Sequence, residues 1–514
     1  MASTTAGLTA SRTAAVMTVT AMGLAYAITV ADPTILSANM SEVRIGLDIP
    51  TSSASFIASL ATLTMAAAVL GAGTLGDLYG MRRMLVIGLL GAIAFGVLAA
   101  SSPTGMALTV ARAGGGLALA LLGLSLALIN AAFPPEKRAT MIALYFGAGF
   151  AIATPLPALG SMLAAQIGWR ACFLVAPALA ALALVITLRY VPETPRATRS
   201  LDVPGLMLVG IALLGLIYGI TRMEVGTDVV AVAAILAGLT AAAGFVAWEL
   251  RTPEPALDLR IFRSGRFNAA VIAGMTFNFI AGGTMIVFAF YLVTVRLESP
   301  QVLGLLLIPA TALAALAATA AGPASTRFGD RTVLVGGLGL MLVGLLLLRI
   351  FDENTSLAMV FAALALNVVG GAFVGTPQAT IMMASAPADL GGAVSGVKGA
   401  VNQAGYSLGP AVFALVGINL IIRDGMHRLE GSGISFEEAR EAFRATHGTL
   451  VGGSHIIDAD HARLVTAAAT QSMLDAIHTL SLVMAVAPLA ALVAAVVLIT
   501  PTAPKRSPAP TDSP

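Results

Sequence analysis

Gly73-Thr74-Leu75-Gly76-Asp77-Leu78-Tyr79-Gly80-Met81-Arg82-Arg83 concentrates charge and glycine between two long apolar runs, Ser52 to Ala72 and Met84 to Ala100. Each run is long enough for a membrane helix, which needs about 20 apolar residues. The stretch is therefore a tight turn at a membrane face. Its glycines allow helices and turn backbone to approach closely, Asp77 is placed to meet a helix N-terminus or an arginine, and Arg82 and Arg83 hold the loop on one side. An ordinary hairpin with positive-inside arginines is the simpler reading, but a turn needs none of these features merely to turn.

A second copy shifts the balance toward the first reading. Gly322-Pro-Ala-Ser-Thr-Arg-Phe-Gly-Asp-Arg331 repeats the spacing of Gly73, Tyr79, Gly80 and Arg82 in Gly322, Phe328, Gly329 and Arg331, again between apolar runs. Two related halves are the build of many secondary transporters.

The 514 residues are 58% hydrophobic and 11% charged, against about 25% charged in an ordinary soluble domain. Net charge is +2, and no basic stripe interleaved with aromatics is present, which argues against nucleic acid as a partner. Cys172 is the single cysteine, so neither an internal disulfide nor a cysteine metal cluster forms. Lysine is confined to Lys137, Lys398 and Lys505 in an Ala-, Gly- and Arg-rich chain, a composition suggestive of a GC-rich bacterium.

Outward from the first turn, apolar segments fall near 13–40, 52–74, 84–102, 105–132, 139–165 and 171–190. The first exceeds the apolar core of a signal peptide and is read as a retained helix. A polar linker, Arg189 to Asp202, precedes two spans near 203–221 and 229–250. A second linker, Arg251 to Arg266, precedes six more, near 267–295, 301–324, 332–348, 357–383, 391–421 and 474–499. The expected architecture is an all-α polytopic membrane protein of fourteen spans arranged as six, two and six. Its units are 1–200, a first six-helix bundle; 201–262, two additional helices with their linkers; 263–500, a second six-helix bundle with an external segment 423–471; and a cytoplasmic tail 501–514.

Short-loop basic residues orient the chain. With the N-terminus inside, Arg12, Arg82, Arg83, Lys137, Arg138, Arg189, Arg196, Arg199, Arg251, Arg260, Arg263, Arg266, Arg327, Arg331, Lys505 and Arg506 face the cytoplasm, and the outer short loops carry only Arg44, Arg170, Arg222, Arg296 and Arg349. Both termini are expected to be cytoplasmic in a cell membrane.

Charge inside a span costs about 2.5–3.5 kcal/mol on insertion scales, so each such residue calls for a reason. Asp32 lies well into the first span and Arg112 in the fourth. Facing a shared water-filled interior, they form a carboxylate whose protonation a substrate or a conformational change can tip. The alternatives are that Asp32 caps a broken helix next to Pro33 and that Arg112 snorkels to a membrane face. In the fifth span Gly149, Pro155, Pro157 and Gly160 form a hinge candidate, since glycine and proline permit bending and close packing in lipid; tolerated helix breakers are the simpler account. Asn278, Asn367, Asn402 and Gln403 are candidates to line a cavity or to bridge helices, and Lys398 is placed near enough to the inner face to snorkel.

In the external segment, Ser435-Phe-Glu-Glu438 reads as a capping box opening a short helix, and Asp458 to Thr470 as the start of another. His427, His447, His455, His461 and His478 all fall in the last fifth of the chain, but their spacing matches no compact ligand pattern, and no metal site is expected. No P-loop of the Gly-x-x-x-x-Gly-Lys-Ser/Thr type is present, and no cofactor is expected.

These residues together resemble the fourteen-span drug:proton antiporters of the major facilitator superfamily over nearly the whole chain. Gly73, Asp77, Gly80, Arg82 and Arg83 match that superfamily's signature loop between spans two and three, which the resemblance makes an inner gate and latch. Ala31-Asp32-Pro33-Thr34-Ile35 is similar to the first-span signature, whose aspartate is associated with proton or cation coupling. Arg112 matches a fourth-span arginine implicated in proton transfer. Trp169-Arg170 with Phe173 and Pro177 resembles the start of the sixth span, Leu201-Asp202-Val203-Pro204-Gly205 the seventh, and Leu257-Asp258-Leu259-Arg260-Ile261-Phe262 the linker into the second bundle. Two departures stand out: Gly115 sits where the fourth-span signature carries glutamine, and Leu156 and Ser161 sit where the fifth-span signature carries glycines.

The expected function is export of a hydrophobic, cationic compound in exchange for protons by a monomer in the bilayer, with no enzymatic activity. Export of a lipid, metabolite or anion is the alternative within transport, and a membrane receptor or scaffold the alternative outside it.

Overall fold

The computed structural model describes residues 12–49, 51–197, 200–223, 229–255, 257, 259–298, 301–385, 390–412, 416–430 and 459–499. The capping box, His447, His455 and both chain ends lie outside the described residues.

All regular structure among the described residues is helical. The first half holds α1 (Arg12–Gly46), α2 (Thr51–Tyr79), α3 (Met81–Ala100), α4 (Gly105–Leu122), α5 (Leu124–Ala132), α6 (Pro135–Ala153), α7 (Leu156–Ile167) and α8 (Val175–Tyr190). Next come α9 (Val203–Met223) and α10 (Val229–Glu249). The second half holds α11 (Gly265–Phe290), α12 (Gln301–Phe328), α13 (Asp330–Leu347), α14 (Leu357–Ala384), α15 (Gly391–Val412), α16 (Ile418–Leu429) and α17 (Ala459–Leu498).

Thirteen helical stretches among the described residues are long and apolar enough to cross a membrane. The expected count of fourteen is therefore not established by length and apolarity. The difference lies at α15, where the thirteenth span was expected: Lys398, Asn402, Gln403 and a run of glycines dilute its apolar content. Two expected single spans are broken, the fourth at Gly123 between α4 and α5 and the fifth at Thr154-Pro155 between α6 and α7. By contrast α1 runs unbroken through Pro33, which removes the reading of Asp32 as the cap of a broken helix. Both ends of the expected external segment are helical, since α16 reaches Leu429 and α17 begins at Ala459.

Within the first half α1 packs on α6 and α8, and α4 on α2 and α3; within the second, α11 packs on α15 and α14 on α12 and α13. Helices α9 and α10 pack on each other, and α9 also leans on α2 and α15. Asp202 ties this pair: its carboxylate accepts from the Gly205 amide at 3.0 Å and from the Trp248 indole at 2.9 Å. The two halves meet most extensively at two crossings, α2 on α15 and α6 on α12, with smaller contacts of α5 on α15 and α6 on α14. Lipid supplies no hydrophobic drive between helices, so such crossings depend on small residues that let backbones touch. At α2/α15 a Cβ on Gly73 would strike the Gly392 carbonyl and one on Gly392 the Gly73 carbonyl; at α6/α12 a Cβ on Gly322 would lie 2.6 Å from Ala143 Cβ.

Candidate functional site

The turn between α2 and α3 is held by α8, by the segment following α8 and by α15. Gly80 sits at φ 103°, in the left-handed region where glycine is strongly favoured, and its counterpart Gly329 sits at φ 84°. The first turn of α3 is capped by the segment following α8: the Met81 amide donates to the Thr194 hydroxyl and the Arg82 amide to the Glu193 carboxylate, each at 3.0 Å. The Arg82 guanidinium donates to the Leu188 carbonyl at 2.7 Å, and in the second half Arg331 donates to the Val496 carbonyl at the same distance. The internal repeat is thus structural as well as sequential. Arg83 lies 3.6 Å from Glu193 and is mostly exposed.

Asp77 has no acidic counterpart, because the equivalent position is Thr326, whose hydroxyl donates to the Pro323 carbonyl of its own helix. Its buried carboxylate accepts from the backbone amides of Gly392 at 2.7 Å and Ala393 at 2.9 Å. The first four amides of a helix have no partner inside it, and its N-terminus carries partial positive charge. One half therefore caps a helix of the other. Ser395 adds a bond to the Gly123 carbonyl at 2.8 Å. The two halves are therefore bonded to each other at the end that carries this turn.

Deeper in the first half, Arg112 Nη1 lies 2.8 Å from Asp32 Oδ2, with side-chain exposures of 4% and 17%. Arg112 does not snorkel. A cavity of about 20 Å³ lies beside the pair, lined by Ile28, Phe95, Gly96, Gly115 and Ala176 among others, and it has room for one water molecule. Gly115, where the signature carries glutamine, leaves that space. Arg112 Nε and Nη2 are buried and make no hydrogen bond within the chain.

In the hinge candidate, Gly149 accommodates the Tyr26 ring and Gly160 packs against Ile35, so both seat α1. Pro155 and Pro157 start α7. Of the polar candidates, Asn367 is a packing residue: it bonds back to the Ala363 carbonyl and faces Gly344 of α13. Asn278 bonds back to the Gly274 carbonyl. Asn402 lies 3.1 Å from the buried Gln378 of α14, and Gln403 is half-buried beside it on α15. Lys398, expected to reach the membrane face, is instead 8% exposed, with Nζ 5.1 Å from the centre of the Phe146 ring of α6. Nothing in the local sequence of α15 signals this, since Phe146 comes from the other half. Among the described residues no His, Cys, Asp and Glu cluster could hold a metal ion.

Two helical halves in contact at one face, with a buried ion pair within one of them, are the layout of a secondary transporter. The family description of the Major Facilitator Superfamily matches residues 14–410, and the chain belongs to that superfamily. The chain is 32% identical over 409 residues to the multidrug resistance protein Stp of Mycobacterium tuberculosis, covering 78% of this chain and 75% of that one. It is 30% identical over 361 residues to the tetracenomycin C resistance and export protein of Streptomyces glaucescens, covering 69% and 67%. The proton:xylose symporter XylE shares the fold, with a TM-score of 0.54 at 14% identity over 90% of this chain and 95% of that one.

Proposed function

We propose that this protein is a proton-coupled exporter of hydrophobic, cationic drugs or toxic compounds, working as a monomer in a bacterial cell membrane with both termini in the cytoplasm. The relatives named above, a multidrug resistance protein and a tetracenomycin C resistance and export protein, support export. The observation that carries the coupling is the buried Asp32–Arg112 pair. A buried carboxylate and guanidinium satisfy each other's charge only while α1 and α4 hold them together, so a coupling ion and a change of conformation compete for the same pair. Protonation of Asp32 from outside and release inside would drive each cycle. Asp77, Arg82 and Arg83 with Gly73 and Gly80 act as the inner gate, and Gly149, Pro155, Pro157 and Gly160 as the bend that α1 follows. The working units are 1–200 and 263–500, with 201–262 an accessory pair of helices, 423–471 external and 501–514 a cytoplasmic tail. The chemistry is transport and not catalysis.

The test is ethidium uptake into inside-out vesicles with and without an imposed proton gradient. Gradient-driven uptake is expected in the native protein and its loss in Asp32→Asn. Uptake by Asp32→Asn at the native rate would remove Asp32 from coupling, and no uptake by folded native protein would remove cationic drugs as substrates.

A further inference from the structure

We propose that Lys398, with Asn402 and Gln378, forms a subsite for the acidic group of an aromatic substrate, and that Phe146 displaces that group when the cytoplasmic end closes. The proposal rests on the export reading and departs from it in charge, since the substrate it adds is an aromatic acid and not a cation.

A lysine buried within a membrane bundle needs a partner, and among the described residues no carboxylate pairs with Lys398. Asp32 is engaged by Arg112 and Asp77 by the α15 amides. What Lys398 has instead is neutral. With the Asn402 amide turned so that its oxygen faces the lysine, that oxygen accepts from Nζ at 3.0 Å. That turn aims the Asn402 amide nitrogen at Gln378, fully buried and 3.1 Å away, so Gln378 supports it with its own amide turned likewise, carbonyl oxygen toward Asn402; Gly274 of α11 leaves the space that Gln378 occupies. The remaining face of the ammonium is covered by the Phe146 ring. Such a set satisfies a cation weakly and leaves it the natural partner of an incoming anion.

The surroundings specify aromatic character. Phe146 stacks edge-on with Tyr26 at 5.3 Å and lies 4.8 Å from Tyr145, and Phe150 meets Tyr26 at 5.7 Å. The Tyr145 hydroxyl is 3.0 Å from Ser125. These rings belong to α1 and α6 of the first half, whereas Lys398, Asn402 and Gln378 belong to the second. Lys398 is six residues beyond Gly392, about 9 Å along the helix at 1.5 Å per residue. Parting α2 from α15 and α6 from α12 therefore lifts Phe146 off the ammonium and bares it toward the cytoplasm. Closing brings the ring back to compete for the same face, which expels a bound acid toward the other side. The subsite loads in one state and is emptied in the other, as export requires.

The test uses the full-length protein in nanodiscs, with fluorescein as the aromatic acid and ethidium as the aromatic cation, binding being followed by anisotropy and fluorescence. Lys398→Gln is expected to lower the ratio of fluorescein to ethidium affinity at least tenfold, and Lys398→Arg to hold it within about threefold. Phe146→Leu, which removes the competitor, is expected to tighten fluorescein relative to ethidium, an effect no general loss of packing produces. A ratio unchanged in Lys398→Gln, or native protein that fails to bind fluorescein, overturns the proposal. If Lys398→Gln does not stay monodisperse, failure of Phe146→Leu to tighten fluorescein overturns it alone. Flux is measured separately: fluorescein binding with the expected variant pattern but no gradient-driven flux supports the subsite and refutes the export reading.

Discussion

Replacing Asp77 should unlatch the molecule, by an amount the geometry sets. Its carboxylate accepts two amide bonds, at 2.7 and 2.9 Å, from the N-terminus of α15. Bonds to a charged group contribute about 1.5–3 kcal/mol each, and a negative charge at a helix N-terminus about 0.3–1 kcal/mol more. Taking the low end, because the carboxylate and amides are rehydrated on opening, Asp77→Ala removes about 3 kcal/mol from the closed state. Asp77→Asn keeps one acceptor without the charge and removes about 2 kcal/mol, about thirtyfold in the ratio of closed to open molecules. A closed-to-open ratio of about 10 to 1 would become about 1 to 3. Spin labels at Tyr79 and Phe328, both exposed at the latched end on opposite halves, read this by pulsed electron paramagnetic resonance in a Cys172→Ser background. The expected result is a new long-distance population, larger in Asp77→Ala than in Asp77→Asn. An unchanged distance distribution in both variants would refute the reasoning that these two bonds hold the face shut.

Three further outcomes are expected. Asp32→Asn leaves Arg112 buried with only a neutral partner and should destabilise the protein by about 3 kcal/mol, most of it recovered in Asp32→Asn/Arg112→Gln, as thermal unfolding in detergent would show. Gly80→Ala forces a Cβ into a φ of 103° and to 2.7 Å from the Glu193 carboxyl carbon, so it should cost about 1–2 kcal/mol or more, whereas Gly339→Ala, in open space inside α13, should stabilise by about 0.5–1 kcal/mol in the same assay. The Thr355 hydroxyl and Asn354 amide, both bonded to Asp352 at 2.9 Å in the α13–α14 turn, hold its carboxyl below the usual value. A lowered folded value stabilises above the unfolded value of about 3.9 and loses that contribution as pH falls through the folded one. The melting-temperature gap between native protein and Asp352→Asn should therefore be present at neutral pH and vanish in acid.

Much of the scaffold was legible because apolar runs and turn chemistry are local. The expected spans near 203–221 and 229–250 lie on α9 and α10, and the repeat of Gly73, Gly80 and Arg82 in Gly322, Gly329 and Arg331 carries over to matching left-handed glycines and matching arginine–carbonyl bonds. The sequence places Asp77 to meet a helix N-terminus, and it does; which helix is not legible, because Gly392 lies 315 residues away. Lys398 shows the limit most plainly. Counting residues from the turn puts it within snorkelling reach of a membrane face, yet Phe146 of the other half covers it. The breaks at Gly123 and Thr154-Pro155 were hidden for a related reason: in a bundle, neighbouring helices satisfy the backbone groups that such interruptions free, so they leave no mark on hydropathy.

The repeat is symmetric in backbone and asymmetric in fastening. Both crossings use glycine to bring helices together, but the acidic bolt is found at α2/α15, while the corresponding Thr326 bonds within its own helix at α6/α12. A door bolted along one edge and merely seated along the other does not slide open; it swings. Release of Asp77 would thus free the α2/α15 edge first, with α6/α12, held by packing alone, parting after it, and α9, which leans on both α2 and α15, would stand beside the edge that moves first.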